Sequence, residues 1–284
     1  MKVAVTGANG QLGKDLVGIL RSRGFDVYGF GRDELDICNL DQCQQVLTRT
    51  RPEVIIHSAA YTAVDQAESD QDRAYEVNAF GTRNIAVCAN EIGAKLVYIS
   101  TDYVFDGTGQ VPYKEFDSTN PNGVYGKSKH AGELLTRSLC HKFFIVRTSW
   151  VYGLHGNNFI KTMLKLGKER DSLKVVNDQI GSPTYTVDLS HFLVELIQTE
   201  KYGIYHASNS GVCSWFDFAK AIFDESGLEI KVEPCTTDEF PRPAPRPKYS
   251  AMDHMAIRLN GFADIPPWRD ALKRFLEQLQ HLDA

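Results

Sequence analysis

The chain has 284 residues, of which 43% are apolar and 24% charged, an ordinary composition for a globular protein with a substantial core. Its 31 basic and 36 acidic residues give a net charge of −5, and no Lys/Arg-rich run is present, so the sequence does not indicate a nucleic-acid surface. No apolar run approaches the ~20 residues needed to span a bilayer. We therefore expect a cytoplasmic protein without a membrane segment.

Six cysteines are scattered along the chain without a Cys-x-x-Cys pair. This spacing favours neither a zinc site nor a disulfide framework. We expect reduced, buried thiols and no bound metal. Nothing in the sequence marks a self-complementary surface, so both a monomer and a homodimer remain open.

The first predicted elements are a strand, a glycine turn and a helix. The strand Lys2–Thr6 leads into Gly7, Gly10 and Gly13, and an amphipathic helix follows with Leu12 on its apolar face. In dinucleotide-binding folds such glycines allow a sharp turn, close approach of the backbone to a pyrophosphate, and helix-on-sheet packing. The helix N-terminus then faces the phosphates. The order of these elements favours a dinucleotide site over an ordinary strand–helix turn.

The second predicted strand, Asp26–Phe30, ends where the adenosine ribose of such a cofactor would lie. An NAD-preferring site usually has a carboxylate there, whereas this chain continues with Gly31 and Arg32. The guanidinium of Arg32 can bind a 2′-phosphate, so the sequence favours NADPH. Asp33 beside it keeps NADH possible.

Two further strands are predicted to bring small and hydroxyl side chains to one sheet edge. Residues 54–61 end in small side chains over which a flat ligand can pass, and a helical stretch over residues 65–92 follows. Within that stretch, Asn78 can support a proton-relay water or bond to backbone. The next strand starts at Lys95 and delivers Thr101, whose hydroxyl can donate to a substrate oxygen or form a turn. Ligands of open α/β sheets bind at this edge.

Tyr125 and Lys129 lie four residues apart in the first turn of a predicted helix, so both side chains can point into one pocket. A phenol has an unperturbed pKa near ~10, and a neighbouring cation favours the phenolate and lowers that pKa. The pair can therefore act as an acid–base device. Such spacing also occurs by chance in surface helices, and the dinucleotide turn earlier in the chain is what favours catalysis.

The second half of the chain offers two candidates for substrate contacts. Trp150 can pack on a sugar or base, or belong to the core. Four prolines at alternate places in residues 241–247 forbid a helix and favour an extended loop. Arg246 in this loop can bind a diphosphate or form a structural ion pair.

The predicted elements together indicate an α/β protein. We expect a Rossmann-like, doubly wound parallel sheet in residues 1–150, rejoined by a strand and a helix near residues 183–226. A smaller, mainly substrate-binding lobe should occupy residues 151–284. The elements predicted for the second half are strands at 143–147 and 203–208 and helices at 158–170, 187–198, 214–226 (capped by Ser214) and 268–282.

The glycine turn, residues 100–107 (STDYVFDG) and the Tyr125/Lys129 pair occur in an order that resembles the extended short-chain dehydrogenase/reductase family. Within it, the chain is similar to reductases of dTDP-linked 4-keto sugars. The resemblance implies NADPH-dependent reduction of the C4 keto group of dTDP-4-dehydro-L-rhamnose to dTDP-L-rhamnose, the last step of dTDP-rhamnose synthesis. The narrower resemblance also rests on residues 59–68, 147–153, 156–159, 178–184 and 246–250.

The resemblance implies roles for the matched residues. The expected catalytic residues are Tyr125, Lys129 and Thr101, with Lys129 lowering the pKa of Tyr125. The expected cofactor contacts, which include Tyr125 and Lys129, are Gly7, Gly10, Gln11, Leu12, Gly13, Arg32, Asp36, Ile37, Ala59, Ala60, Tyr61 and Thr62. The candidate substrate-binding residues are Thr101, Asp102, Tyr103, Trp150, Asn158 and Arg246.

Two other functions stay open at this stage. One is another extended nucleotide-sugar reductase or epimerase, since its proton relay and cofactor turn would look the same. The other is a non-catalytic relative of the regulatory subunit of methionine adenosyltransferase. The intact set of Thr101, Tyr125 and Lys129 argues against a non-catalytic role.

Overall fold

The computed structural model describes residues 1–283. Its strands are β1 (Lys2–Thr6), β2 (Asp26–Phe30), β3 (Val54–His57), β4 (Lys95–Thr101), β5 (Phe143–Thr148), β6 (Val151–Tyr152), β7 (Ser172–Val176), β8 (Ile180–Gly181), β9 (Thr184–Tyr185), β10 (Gly203–His206), β11 (Cys213–Ser214) and β12 (Lys231–Cys235). Its α-helices are α1 (Gln11–Ser22), α2 (Leu40–Thr50), α3 (Val64–Ala67), α4 (Gln71–Tyr75), α5 (Thr82–Ile92), α6 (Val124–Leu139), α7 (Phe159–Glu169), α8 (Thr186–Leu196), α9 (Trp215–Ser226), α10 (Met255–Leu259) and α11 (Trp268–Asp283).

A six-stranded sheet in the order β10-β5-β4-β3-β1-β2 is the centre of the fold. All of its neighbouring strands are parallel. From β1 the chain first moves to β2 on one side and then to β3, β4 and β5 on the other. The change of direction opens a crevice at the carboxyl ends of the strands, where ligands bind in such sheets. The predicted doubly wound parallel sheet is confirmed.

Helices cover both faces of this sheet, because its strands are apolar on both sides. Leu16 and Leu20 of α1 pack with α8 on one face, and Leu47 of α2 packs with Ile85 of α5 on the other. Each of these side chains is fully buried, which stabilises the fold by ~1.5–3 kcal/mol per residue. The two layers hold the strand ends, and hence the site, in a fixed geometry.

The helical stretch predicted over residues 65–92 is confirmed except at residues 68–70, which form a turn after α3. From residue 71 onward, α4, a π-helical segment (Glu76–Gly81) and α5 follow one another without a gap. Ser69 ends α3 by bonding with both its N–H and its hydroxyl to the Gln66 carbonyl. In the π-helical segment, Asn78 bonds to the backbone N–H and C=O of Tyr61 and to the Ser128 hydroxyl. Asn78 therefore has the backbone-bonding role, one of the two predicted for it.

The remaining predicted elements lie within a few residues of those observed. The strand predicted over 54–61 ends earlier, at His57. The helix predicted from residue 158 begins at Phe159, with Asn158 as its N-cap, and Ser214 forms the predicted N-cap of α9 in a capping box with Asp217. Residues 241–247 form a loop, as the prolines predict.

The second half of the chain forms its own cluster and also returns to the sheet. Aromatic side chains such as Phe218, Phe223 and Phe275 fill a core between α7, α9 and α11. Short strand pairs β7/β12, β8/β11 and β6/β9 surround it. Strand β10 pairs with β5, and α8 contacts α1. The chain therefore passes between this cluster and the sheet more than once.

All six cysteines are unpaired and five of them are buried, as the sequence analysis predicts, whereas Cys38 is half-buried. Burial raises the pKa of Cys43 to about 12 and that of Cys88 to about 11. These thiols are therefore protonated and unreactive at neutral pH.

Residues 1–283 contain neither a candidate membrane span nor a cluster of metal-ligating side chains. No helix there combines the length and the apolar character needed to cross a membrane. Nor do three or more His, Cys, Asp or Glu side chains of that part of the chain come together as a metal site.

Candidate active site

A cavity of about 900 Å³ lies at the carboxyl ends of the central strands. Its size is at the upper end of the range for ligand pockets, ~300–1,000 Å³. Every predicted cofactor residue and most predicted catalytic or substrate residues line it. They are Gly7, Gly10, Gln11, Leu12, Gly13, Arg32, Asp36, Ile37, Ala59, Ala60, Tyr61, Thr62, Thr101, Asp102, Tyr125, Lys129 and Trp150.

The glycine turn forms one end of the cavity. Gly7 has φ of +67°, which L side chains rarely adopt, and a Cβ on Gly13 would lie 2.2 Å from the Gly7 carbonyl oxygen. Gly10 is the N-cap of α1 and provides no side-chain cap. The first N–H groups of α1 therefore lack a side-chain acceptor, and the residues that carry them, Gln11, Leu12 and Gly13, line the cavity. A helix N-terminus of this kind binds phosphate. The cradle fits the pyrophosphate of a dinucleotide.

The wall beyond the end of β2 carries both signs of charge. Arg32 is exposed on this wall, as expected for a contact with a 2′-phosphate. The Gly31 N–H donates to Glu34 Oε2 at 2.7 Å, so the carboxylate at this strand end comes from Glu34 rather than Asp33. Arg73, which the sequence analysis did not select, lines the same end and pairs with Glu76 at 2.5 Å. Val77, four residues further along, lines the cavity too. Such spacing is common in helices, so the sequence alone did not mark Arg73.

Two neighbouring elements bring the three predicted catalytic residues into this cavity. Thr101 is the last residue of β4, and Tyr125 and Lys129 lie in the first turns of α6. The start of α6 is fixed from outside, since Glu68 Oε1 accepts from the Val124 N–H at 2.8 Å. Thr101 and Lys129 are buried and Tyr125 is half-buried.

The electrostatics of Tyr125 differ from the sequence expectation. Burial raises its pKa to about 12, although a hydrogen bond with Thr101 opposes this and the Asp102 charge adds to it. Lys129 does not lower that pKa here, because its ammonium donates to the Ile99 carbonyl at 2.6 Å and lies 4.1 Å from the centre of the Tyr98 ring. Burial also lowers the pKa of Lys129 to about 7, with Glu133 opposing the change. Tyr125 is therefore a protonated phenol at neutral pH, the form that a proton donor requires.

A buried ion pair supports the floor of the site. Arg147 donates to both oxygens of Glu133, at 2.9 and 2.8 Å, and both side chains are 3% exposed. Ser100, on the cavity wall, donates to the same carboxylate at 2.6 Å. The pair joins α6 to the ends of β4 and β5 and so fixes the helix that carries Tyr125.

Two further candidate substrate residues, Trp150 and Asp102, line the cavity. Trp150 has a left-handed backbone (φ +47°) and stacks on Trp215 with 3.6 Å between ring centres. It therefore belongs partly to the core and partly to the wall. Asp102 Oδ1 accepts from Thr101 at 3.0 Å, whereas its Oδ2 is buried and has no partner. Burial raises the pKa of Asp102 to about 6, and the nearby hydroxyls of Ser250 and Thr101 oppose the rise.

Three candidate substrate residues do not lie on the cavity wall. Tyr103 packs edge-to-face against Tyr125, 5.5 Å between ring centres. Arg246 donates to Asp65 at 2.9 Å, so its ion pair exists, but its Nη1 is buried without a partner. Asn158 uses its amide inside the protein and exposes no free polar atom to a ligand. The sequence analysis also missed wall residues that follow β5, namely Ser149, Val151 and Asn157.

Fold and site together define a protein of the short-chain dehydrogenase/reductase type, with a dinucleotide cradle beside a Thr/Tyr/Lys set. The chain belongs to the family described as the RmlD substrate binding domain, whose model matches residues 1–281. The predicted family resemblance is thereby confirmed.

Named relatives agree with this assignment along the whole chain. The spore coat polysaccharide biosynthesis protein SpsK of Bacillus subtilis is 46% identical over 279 residues, covering 98% of this chain and 97% of the relative. A dTDP-4-dehydrorhamnose reductase of Aggregatibacter actinomycetemcomitans is 43% identical over 285 residues, with 96% and 97% coverage. A dTDP-4-dehydrorhamnose reductase of Bacillus anthracis, solved in complex with NADP, is 53% identical with a TM-score of 0.96, covering 98% and 99% of the two chains.

Proposed function

We propose that this protein reduces the C4 keto group of dTDP-4-dehydro-L-rhamnose to dTDP-L-rhamnose with NADPH. The observation that carries the proposal is that Thr101, Tyr125 and Lys129 line the same cavity as the glycine turn. The relatives named as dTDP-4-dehydrorhamnose reductases support the choice of substrate, and the NADP-bound relative supports the choice of cofactor.

The chain's residues supply the proton half of the reduction. NADPH bound at the glycine turn supplies the hydride, which goes to the C4 carbon of the sugar. The C4 oxygen gains negative charge as that bond forms, and Tyr125 transfers its phenolic proton to this oxygen. Thr101 hydrogen-bonds the same oxygen, and Lys129, which lines the same cavity, would hold the nicotinamide ribose beside Tyr125. Proton donation of this kind accelerates a reaction by ~10²–10⁴-fold.

We also propose which residues contact the dTDP-sugar. Residues 1–150, with the strand and helix that return to the sheet, hold the cofactor, and the rest of the chain mainly contacts the dTDP-sugar. Asp102 Oδ2 accepts from a sugar hydroxyl, Trp150 packs on the nucleotide sugar, and the free Nη1 of Arg246 donates to the diphosphate. The buried, unpartnered state of these two polar atoms supports the assignment, because such atoms are costly without a ligand.

The deciding experiment follows absorbance at 340 nm with NADPH. The protein should consume NADPH when dTDP-4-dehydro-L-rhamnose is added, and should not consume it with the 4-keto precursor of that sugar. Turnover of both sugars alike would point to another nucleotide-sugar reductase. Sugar interconversion with tightly held NAD and no added reductant would point to an epimerase, and no turnover with any keto-sugar would favour a non-catalytic relative.

We also infer a cytoplasmic location and a monomer or homodimer. Six unpaired cysteines and a need for NADPH both suit a reducing compartment. Light scattering coupled to gel filtration distinguishes the two oligomeric states.

A further inference from the structure

The helix that starts at the glycine turn is joined to the segment of residues 150–158. Gln11 is the first residue of α1 and lines the cavity. Its Nε2 donates to the Val151 carbonyl at 3.1 Å, and its Oε1 accepts from Asn158 Nδ2 at 3.0 Å. Both polar atoms of the Gln11 side chain therefore hold this segment.

A second contact lies one turn further along α1, on the same face. Asp15 pairs with His155, 3.6 Å between Oδ1 and Nε2, and also accepts from the Thr186 hydroxyl. Gly153 passes close by, since a Cβ there would lie 2.2 Å from Thr186 Oγ1. The first two turns of α1 are thus fixed to residues 150–158.

Residues 150–158 also make contacts away from α1. Asn158 accepts from the Lys161 N–H at 3.1 Å and donates to the Gly153 carbonyl at 2.8 Å. At the other end, Trp150 stacks on Trp215 at 3.6 Å. A shift of the first turn of α1 therefore reaches Trp150 through a short, continuous set of contacts.

We propose that the hydrogen bond between Gln11 and Asn158 couples the two binding sites, so that the dinucleotide and the nucleoside diphosphate of the substrate bind cooperatively. This inference rests on the proposed function, which places a dinucleotide at the glycine turn and the substrate beside Trp150. A pyrophosphate bound to the N–H groups of α1 sets the position of its first turn, and the Gln11–Asn158 hydrogen bond passes that position on to residues 150–158, which end at Trp150. A ligand beside Trp150 then meets a segment already in the position that the dinucleotide favours. Asn158 is accordingly a positioning residue.

Calorimetric titration of NADP⁺ with and without saturating dTDP tests the coupling. The probe dTDP lacks the sugar that would meet the nicotinamide, so direct contact between ligands is reduced. In the wild type, dTDP should tighten NADP⁺ binding by about five-fold or more. Asn158→Ser keeps an N-cap hydroxyl but cannot reach Gln11, so its tightening should fall below about two-fold.

Two further variants make the test independent of folding defects. Gln11→Met removes the same hydrogen bond from the other side with a side chain of similar length, and should lose the tightening too. Thr162→Val is the matched control, because it removes a hydroxyl that donates to the Asn158 carbonyl at 2.9 Å without touching Gln11. It should keep the wild-type tightening.

The outcomes separate this inference from the function on which it rests. Equal tightening in the wild type and in both bridge variants overturns the inference. Binding of each ligand to the wild type with no mutual effect also overturns it and leaves the reductase function intact. Failure of NADP⁺ to bind the wild type at all overturns both.

Discussion

The two walls of the cavity are built in different ways. On the sheet-edge wall, Thr101 ends a strand and Tyr125 begins a helix, so backbone hydrogen bonds fix their positions. On the opposite wall, Trp150 has a left-handed backbone and stacks on Trp215. Arg246, which does not line the cavity, lies in the proline-rich loop and is held by its ion pair with Asp65. Chemistry needs the precise geometry of the first wall, whereas the second wall can provide binding energy. Substitutions on the two walls should therefore change different kinetic constants.

The largest effect is expected on the sheet-edge wall. Tyr125→Phe keeps the ring that packs against Tyr103 but removes the proton donor. We expect kcat to fall by ~10²–10⁴-fold, while the melting temperature and the Kd for NADP⁺ stay near wild type. Steady-state assays at 340 nm and calorimetric titration measure these quantities.

A matched variant shows whether the loss is specific to the hydroxyl of residue 125. Tyr75 shares an apolar cluster with Tyr125 but does not line the cavity. Tyr75→Phe should leave kcat within a few-fold of wild type. A kcat for Tyr125→Phe that matched Tyr75→Phe would refute the assignment of the acid.

A smaller effect, of a different kind, is expected in the proline-rich loop. Arg246→Ala removes a charged donor whose interaction is the same in ground and transition states, so KM for the dTDP-sugar should rise about ten-fold with little change in kcat. Arg242, exposed in the same loop, provides the control, and Arg242→Ala should change neither constant. An Arg246→Ala variant with lowered kcat and normal KM would mean that the wall comparison is wrong.

The smallest effect is expected at the end of β2. Arg32 is exposed, so water and salt screen its attraction for a 2′-phosphate. Arg32→Ala should reduce the ratio of kcat/KM for NADPH over NADH by about five-fold or less. Arg23→Ala, at an exposed position outside the cavity, should leave that ratio unchanged. If Arg32→Ala also leaves it unchanged, Arg73 becomes the candidate for cofactor selection.

The sequence predicted the parts of the site that depend on local patterns, and missed those that depend on contacts between distant residues. Strands β1 and β2, the glycine turn and the Tyr125/Lys129 pair follow from local periodicity and spacing, and their residues meet because parallel strands end at one edge. Within the 65–92 stretch, the π-helical segment holds Asn78, whose bond to the Ser128 hydroxyl crosses the fold, and no local pattern records that contact. Likewise, Asn158 bonds to Gln11 from 147 residues away, so its position in a motif could not reveal its partner.

Local spacing also did not predict the pKa values of the catalytic pair. The pair Tyr125 and Lys129 was correctly placed in one cavity, but the pKa of each depends on burial and on the Ile99 carbonyl. Those surroundings come from β4 and from the depth of the cavity. Spacing along a helix shows which side chains point the same way. The burial that shifts their pKa values depends on the whole fold.

A crystal structure of the protein with NADP⁺ and dTDP-L-rhamnose tests the central claim most directly. The account predicts that the C4 oxygen of the sugar lies within ~2.6–3.2 Å of both Tyr125 Oη and Thr101 Oγ1, with the pyrophosphate of NADP⁺ on the glycine turn. A sugar bound with its C4 oxygen beyond hydrogen-bond reach of both hydroxyls would contradict it.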